Sequence, residues 1–348
     1  MRTPRHSRAT SVSAALLAVA LGATACGGGD DAEQSGAEQG ATETVRVMMF
    51  PGQSYRLPVL IAEQEGMFKE RGIELEFTEQ PSNLQGMQGL EATDSDVGIV
   101  TVGTLGQGWQ AGSEGVFFCG GINVLQTMLV APEDSDLPST EDGATWQEVL
   151  KALEGKKIGI QTPVGSGLQL IFAAALAEAG VEDVTYVNLG GGTAAAVAAI
   201  DNGSVDVAQF TPPGTQQVLE SGGGKPLLYM SEGPTTYRDY YGSGWVAPPE
   251  FVEERPETAA AFCDVIDEAL EFIRDDANRE TALDLLVEDT GVTRPVAELV
   301  LDQAYDDFST ELDQQRLDTT FDAYVELGIF EPEPKPSYDV LVNDPRQG

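Results

Sequence analysis

Two hydrophobic rhythms alternate between residues 155 and 210. Lys157–Gln161 and Val184–Asn188 are short, β-branched runs of strand length. Between them Leu168, Ile171, Phe172, Ala175, Leu176 and Ala179 recur at helical spacing, so one helix face is apolar. Gly180 follows where such a helix stops. The pattern then repeats: Gly190–Thr193, an Ala-, Val- and Ile-rich helix closing at Asn202-Gly203, and a strand over Val205–Phe210. Strand, glycine turn, helix, strand predicts a parallel sheet, and such sheets bind small molecules at the carboxyl ends of their strands. Those ends carry Thr162–Gly167, Gly190–Thr193 and Thr211-Pro212-Pro213.

A second α/β pattern precedes the first. Val45–Phe50, Ile73–Phe77, Val97–Val102 and Val116–Asn123 read as strands. The helix after the first of them has Leu57, Leu60, Ile61, Met67 and Phe68 inside, and Gly103-Thr104 opens another that runs to about Ala111. Leu125–Ala131 leaves this lobe and Gly242–Ala247 returns to it. Pro132–Ala144 is a polar, acidic surface loop. Thr145 and Glu148 have capping-box spacing ahead of the apolar face Trp146, Val149, Leu150 and Leu153. Beyond Pro248 the chain is helical, with stripes at Phe262, Ile266, Leu270 and Ile273 and at Leu317, Phe321 and Tyr324, until Pro332–Pro336 ends regular structure. These helices are expected to pack on the first lobe. The division is therefore 44–125 with 246–348 as lobe 1, and 126–245 as lobe 2.

The N-terminus changes the picture of where the protein works. Residues 1–25 hold Arg2, Arg5 and Arg8, no acid, and an apolar run from Ala14 to Ala23, the layout of a secretory signal. It ends in Ala23-Thr24-Ala25-Cys26-Gly27, which resembles a bacterial lipobox with Cys26 as the acylated (palmitate-bearing) residue and Ala23 in place of the usual Leu. Residues 26–43 have no apolar periodicity and read as a disordered tether with a reach of roughly 20–25 Å. The formal charge of −38 grows by three more negative charges once the signal is removed, which excludes nucleic acid as a partner. The single histidine, His6, lies in the signal, so Ser-His-Asp and Cys-His catalysis and His-based zinc sites are excluded. Cys119 and Cys263 either form one disulfide outside the cytoplasm or remain two buried thiols.

Candidate chemistry sits at the predicted strand ends. Gly165-Ser166-Gly167 precedes a helix start, whose free N–H groups and partial positive charge hold an anionic or acceptor group; the plain alternative is a tight turn with Ser166 as N-cap. No Gly-Lys-Ser/Thr follows, so it is not a nucleotide P-loop, and no cofactor is implied. Gly192 and Thr193 offer similar donors, with Thr211 beside them. On the first lobe the matching turns are Gln53-Ser54-Tyr55-Arg56 and Thr101–Thr104, with Gly103 and Thr104 at the helix start. Arg56 is either an anion-pairing guanidinium or a surface arginine beside one of many acids, and Arg238 poses the same choice. Tyr55, Phe210, Tyr237, Tyr241 and Trp245 are either a rim that stacks a flat ligand or packing at the lobe junction, and Trp109 is core. Asn202-Gly203-Ser204 matches a glycosylation sequon but reads better as a helix stop.

Pro58-x-x-x-Ala62-x-x-x-Gly66-Met67-Phe68-Lys69-x-x-Gly72-Ile73-x-Leu75 resembles the signature of substrate-binding proteins of the nitrate/sulfonate/thiamine-precursor (taurine-like) family of ABC importers. Asp96-Val97-Gly98-Ile99, the Gly155–Gly159 strand with its Gly165–Gly167 turn, and Gly203-x-Val205-Asp206-Val207-Ala208 follow in the family's order, so the resemblance spans roughly 45–275. It implies an α/β, two-lobed periplasmic-binding-protein fold with two crossing hinge segments and no enzymatic activity. It further implies a small ligand between the lobes, an ABC permease and its ATPase as partners, and a place on the outer face of the bacterial cell membrane. The ligand expected from Arg56, the glycine-rich helix starts and the aromatics is a small organic anion: a sulfonate, an aromatic carboxylate or a thiamine precursor. An exported enzyme on the same fold and a ligand-sensing ectodomain are the alternatives.

Overall fold

The computed structural model describes residues 42–80, 83–190 and 192–347. The expected signal segment, Cys26 and the tether up to Ala41 lie outside the described residues. No helix among those described is long and apolar enough to cross a membrane.

In chain order the strands are β1 (Glu43–Met49), β2 (Ile73–Glu79), β3 (Val97–Thr101), β4 (Val116–Ile122), β5 (Met128–Ala131), β6 (Lys157–Ile160), β7 (Thr185–Asn188), β8 (Val207–Phe210), β9 (Lys225–Tyr229) and β10 (Ser243–Ala247). They form two sheets built to one plan, ordered β2-β1-β3-β10-β4 and β7-β6-β8-β5-β9. Within each sheet β1 or β6 lies parallel to both neighbours. The fourth strand, β10 or β5, runs antiparallel to its own neighbours. Those two antiparallel strands are the first that the chain lays down after passing from one sheet to the other. The passages, residues 123–127 and 230–242, are two crossing segments that join two α/β lobes. β9 is not apparent in the sequence because Pro226 interrupts its pattern. A proline is tolerated there since β9 is an edge strand and need not donate on its outer side.

Helix Pro256–Arg274 covers one face of the first sheet, bringing Phe262 and Cys263 against Trp245 and Phe118 in a continuous core. The opposite face shares a core with the second lobe: Val100, Leu105 and Phe117 connect through Phe321, Tyr324 and Phe330 to Leu150, Ile158 and Phe172. Helix Gln314–Glu326 therefore packs between the lobes rather than on the first alone. It also braces the second crossing. Thr320 Oγ1 accepts from Tyr241 N (2.8 Å), and Arg316 donates to the carbonyls of Arg238 (3.0 Å) and Tyr240 (3.4 Å). Regular structure continues past Pro332–Pro336, since Tyr338–Leu341 forms a helical turn and Val342 pairs with Phe117. Leu341 is wholly buried, and its burial holds that segment in place. The capping box at Thr145 and Glu148 is present.

The crossings touch at Gly242. A Cβ built there would lie 2.5 Å from Val124 O in the other passage and 2.7 Å from Ile122 O at the end of β4, both backbone atoms. Gly242→Ala is expected to push the crossings apart and cost about 1–3 kcal/mol, read as a lower denaturation midpoint with an unchanged m-value.

Candidate functional site: a cleft between the lobes

The carboxyl ends of β1, β3, β4 and β8 converge on a cavity of about 260 Å³. The first lobe supplies Phe50, Gln53, Ser54 and Tyr55 from the turn after β1, Ile99–Thr101 from β3, and Ile122. Leu168, Thr211 and Pro212 face them from the second lobe, and both crossings contribute, through Val124–Thr127 and Gly242-Ser243. Among the described residues no Lys, Arg, Asp or Glu lines the cavity. Its polar groups are hydroxyls and amides. A larger cavity of about 560 Å³, lined by Arg46, Asp96 and Arg255 among others, lies at the amino ends of the first sheet's strands. No second-lobe residue lines it, and its Arg46 is already bound to Asp96 (2.6 Å).

The turn after β1 is held from behind. Tyr305 Oη donates to Ser54 O (2.5 Å), Arg56 N donates to Gln53 O (3.2 Å), and Tyr55 Oη accepts from Phe50 N (3.0 Å). That last bond uses the phenol as acceptor and leaves its own proton available as a donor. Burial pushes the Tyr55 phenol far above its ordinary range, so it stays protonated. Thr101 caps helix Val102–Gln110, its Oγ1 accepting from Thr104 N (3.3 Å) and lying 3.0 Å from the Thr104 hydroxyl. The positive end of that helix thus opens beside the cavity.

Of the candidate ligand-binding residues, Gln53, Ser54, Tyr55, Thr101 and Thr211 meet in this cavity, joined by Pro212 and Leu168, and the other candidates do not line it. Arg56 is 8% exposed and turned away, its guanidinium on Asp289 Oδ1 (3.0 Å) and Glu79 Oε1 (3.3 Å). Gly103 packs near Tyr324, and Thr104 serves the cap. Gly165, Ser166 and Gly167 form a self-contained helix start: Ser166 Oγ accepts from Gln169 N (3.4 Å), and Gln169 Oε1 accepts from Gly165 N (2.9 Å). Gly165 has φ +86°, the left-handed region that glycine tolerates. Gly192 is exposed, and Thr193 packs against Gly214. Arg238 pairs with Asp239 (2.9 Å).

Phe210, Tyr237, Tyr241 and Trp245 are at most 3% exposed and belong to the cores, so the aromatic rim reduces to Tyr55 and Phe50, whose rings meet edge to face at 6.1 Å. Trp109 packs half-buried on the shared core. Leu168, expected inside, is 41% exposed and lines the cleft from the first turn of its helix. Gln126, Thr127 and Ser243 were not anticipated. The available signal was polar residues interrupting the apolar crossing strands.

The profile of the NMT1/THI5-like family matches residues 53–280, about two thirds of the sequence. The chain belongs to that family. No curated protein matches the chain in sequence. Among solved structures, the periplasmic aliphatic sulphonate binding protein SsuA from Escherichia coli superposes with a TM-score of 0.70 at 20% identity, covering 86% of this chain and 97% of that one. The periplasmic nitrate-binding protein NrtA from Synechocystis PCC 6803 gives 0.65 at 15%, over 85% and 84%. A point mutant of DSZB in complex with biphenyl-2-sulfinic acid gives 0.62 at 15%, over 87% and 97%. These likenesses show that the NMT1/THI5-like chain has the periplasmic-binding-protein fold.

Proposed function

We propose that the protein is the solute-binding component of an ABC importer, holding a small organic molecule between its lobes and presenting it to a permease and its ATPase. The observation that carries this reading is the cavity itself, lined from both lobes and both crossings. A molecule touching both lobes stabilises the closed arrangement by the difference in its affinity for the closed and open forms. An exported lipoprotein fits this role, with Cys26 acylated on the outer face of the cell membrane and the segment after it as tether.

The solute is a small organic anion, a sulfonate, an aromatic carboxylate or a thiamine precursor, with its ring between Phe50, Tyr55 and Leu168. Arg56 is committed elsewhere. The solute's charge is therefore met by the positive end of helix Val102–Gln110, whose Val102 N–H is itself donated to Gly242 O (3.1 Å), and by the hydroxyls of Ser54, Tyr55, Thr101, Thr211 and Ser243. Sulphonate- and nitrate-binding proteins on this fold support the assignment. An enzyme is less well supported, since no carboxylate, lysine or cysteine lines the cavity among the described residues to move a proton near neutral pH.

Calorimetric titration with a panel of arylsulfonates, aryl carboxylates and aminopyrimidines tests the reading. Thr101→Val and Ser243→Ala are each expected to weaken the best binder about ten-fold, the loss of one hydrogen bond to a charged group. A panel in which nothing binds, or turnover of a bound compound, would overturn it.

A further inference from the structure

The C-terminal helices bridge the two lobes on two flanks, and the chemistry of the two bridges is opposite. On one flank Ile329 and Phe330, just beyond helix Gln314–Glu326, are buried in the same core as Phe172 and Leu176 of the second lobe. A Cβ built at Gly167, where that lobe's helix begins, would lie 3.3 Å from Ile329 Cγ2. Parting these surfaces would return apolar area to water, which is costly. On the other flank helix Arg294–Ala304 of the first lobe meets helix Gly214–Glu220 and β9 of the second through a polar contact. Gln303 Oε1 accepts from both Gln216 Nε2 (3.1 Å) and Tyr229 Oη (2.9 Å). Gln303 is exposed, so water replaces both bonds at small net cost when the two sides part. Nor is this flank close-packed: a space of about 580 Å³ is lined by Gln216 and Tyr229 from the second lobe and by Asp302, Gln303 and Asp306 from the first.

The residues that follow Gln303 serve the cavity. Ala304 O accepts from Gln126 Nε2 (2.7 Å), Tyr305 Oη donates to Ser54 O (2.5 Å), and Asp307 O accepts from Asn123 N (2.8 Å). One short segment, 303–307, therefore holds a cavity turn, the first crossing and the second lobe together. We infer that the lobes open by pivoting on the buried flank and parting at the polar one, and that Gln303 is the latch: a positioning residue that does not line the cavity but sets how long the cleft stays shut on its solute. This rests on the solute-binding reading above and names how that same site is gated.

The test measures distances between paired spin labels in the full chain without solute, carrying Cys26→Ser so that only introduced cysteines react, since Cys119 and Cys263 are bonded to each other. Glu220→Cys/Glu298→Cys spans the polar flank and Ala177→Cys/Glu326→Cys the buried one, all four positions being exposed. Adding Gln303→Met, which keeps the side chain's length and removes the acceptor, is expected to lengthen the first distance and leave the second unchanged. A general loss of stability would not move one distance and spare the other. An unmoved first distance, or a lengthened second one, overturns the latch and leaves the solute-binding role standing. In stopped-flow binding, Gln303→Met should raise the dissociation rate of 4-methylbenzenesulfonate about five-fold and hold its association rate within about two-fold, and an unchanged dissociation rate overturns the latch as well. If neither that compound nor the wider panel binds while the label distances shift as expected, the solute-binding reading falls and the pivot and latch stand.

Discussion

Replacing Cys119 and Cys263 together by alanine is expected to lower stability by about 4–5 kcal/mol, among the largest effects available in this chain. The two sulfurs are bonded, and each residue is fully buried, Cys119 in β4 and Cys263 in helix Pro256–Arg274. Their separation of 144 residues closes a long loop in the unfolded chain, and the entropy removed by cross-linking grows with the logarithm of that length. The loop runs from β4 out through the second lobe and back, so the bond ties the strand before the first crossing to a helix beyond the second. Guanidinium unfolding measures the effect: reductant should shift the midpoint of the unaltered protein and leave the double variant unmoved. Equal stability of the two proteins with reductant absent would remove the bond from any account of the fold. Such a cross-link persists in an oxidising compartment, as the proposed export requires.

The sheets were legible in the sequence because parallel strands buried on both faces leave short β-branched runs, and Val97–Thr101 and Val207–Phe210 have no competing pattern. The chain's entries into each sheet were legible for a similar reason, as the apolar runs Leu125–Ala131 and Gly242–Ala247 that hold β5 and β10, whereas the passages themselves, 123–127 and 230–242, carry too many polar residues to stand out. What the sequence could not convey was direction. Tyr237, Tyr241 and Trp245 sit on or beside the second crossing, but packing from helix Gln314–Glu326 and from Phe262 draws them inward. Leu168 has the spacing of the buried stripe, but periodicity does not tell which turn of a helix lines a cleft. The Gly165–Gly167 turn announced a helix start correctly, and Ser166 takes the plain role of N-cap, its Oγ accepting from Gln169 N. The paired choices at Cys119 and Arg56 were three-dimensional: each depended on partners far along the chain that no local pattern brings together.

Arg56→Met is expected to destabilise the protein by about 3–5 kcal/mol, the usual result of removing one member of a buried ion pair. Asp289 decides the size of the effect. Its side chain is 15% exposed, its Oδ2 has no donor, and burial already raises its pKa while Arg56 opposes the rise. Without the guanidinium the folded-state pKa climbs further above the unfolded value. A raised carboxyl pKa means the folded form holds a proton that the unfolded form has released, so the penalty is full above the folded pKa and absent below the unfolded one. The stability gap between Arg56→Met and the unaltered protein should therefore narrow as pH falls from 7 toward about 4, and Asp289→Asn in the same background should restore much of it at pH 7. The pair of variants also separates two roles for Arg56 in binding. If the arginine acts by holding the Gln53–Arg56 turn against the cavity, affinity lost in Arg56→Met returns with Asp289→Asn as the turn resettles. If the guanidinium swings out to pair a solute anion directly, neutralising Asp289 cannot replace it, and the affinity stays low.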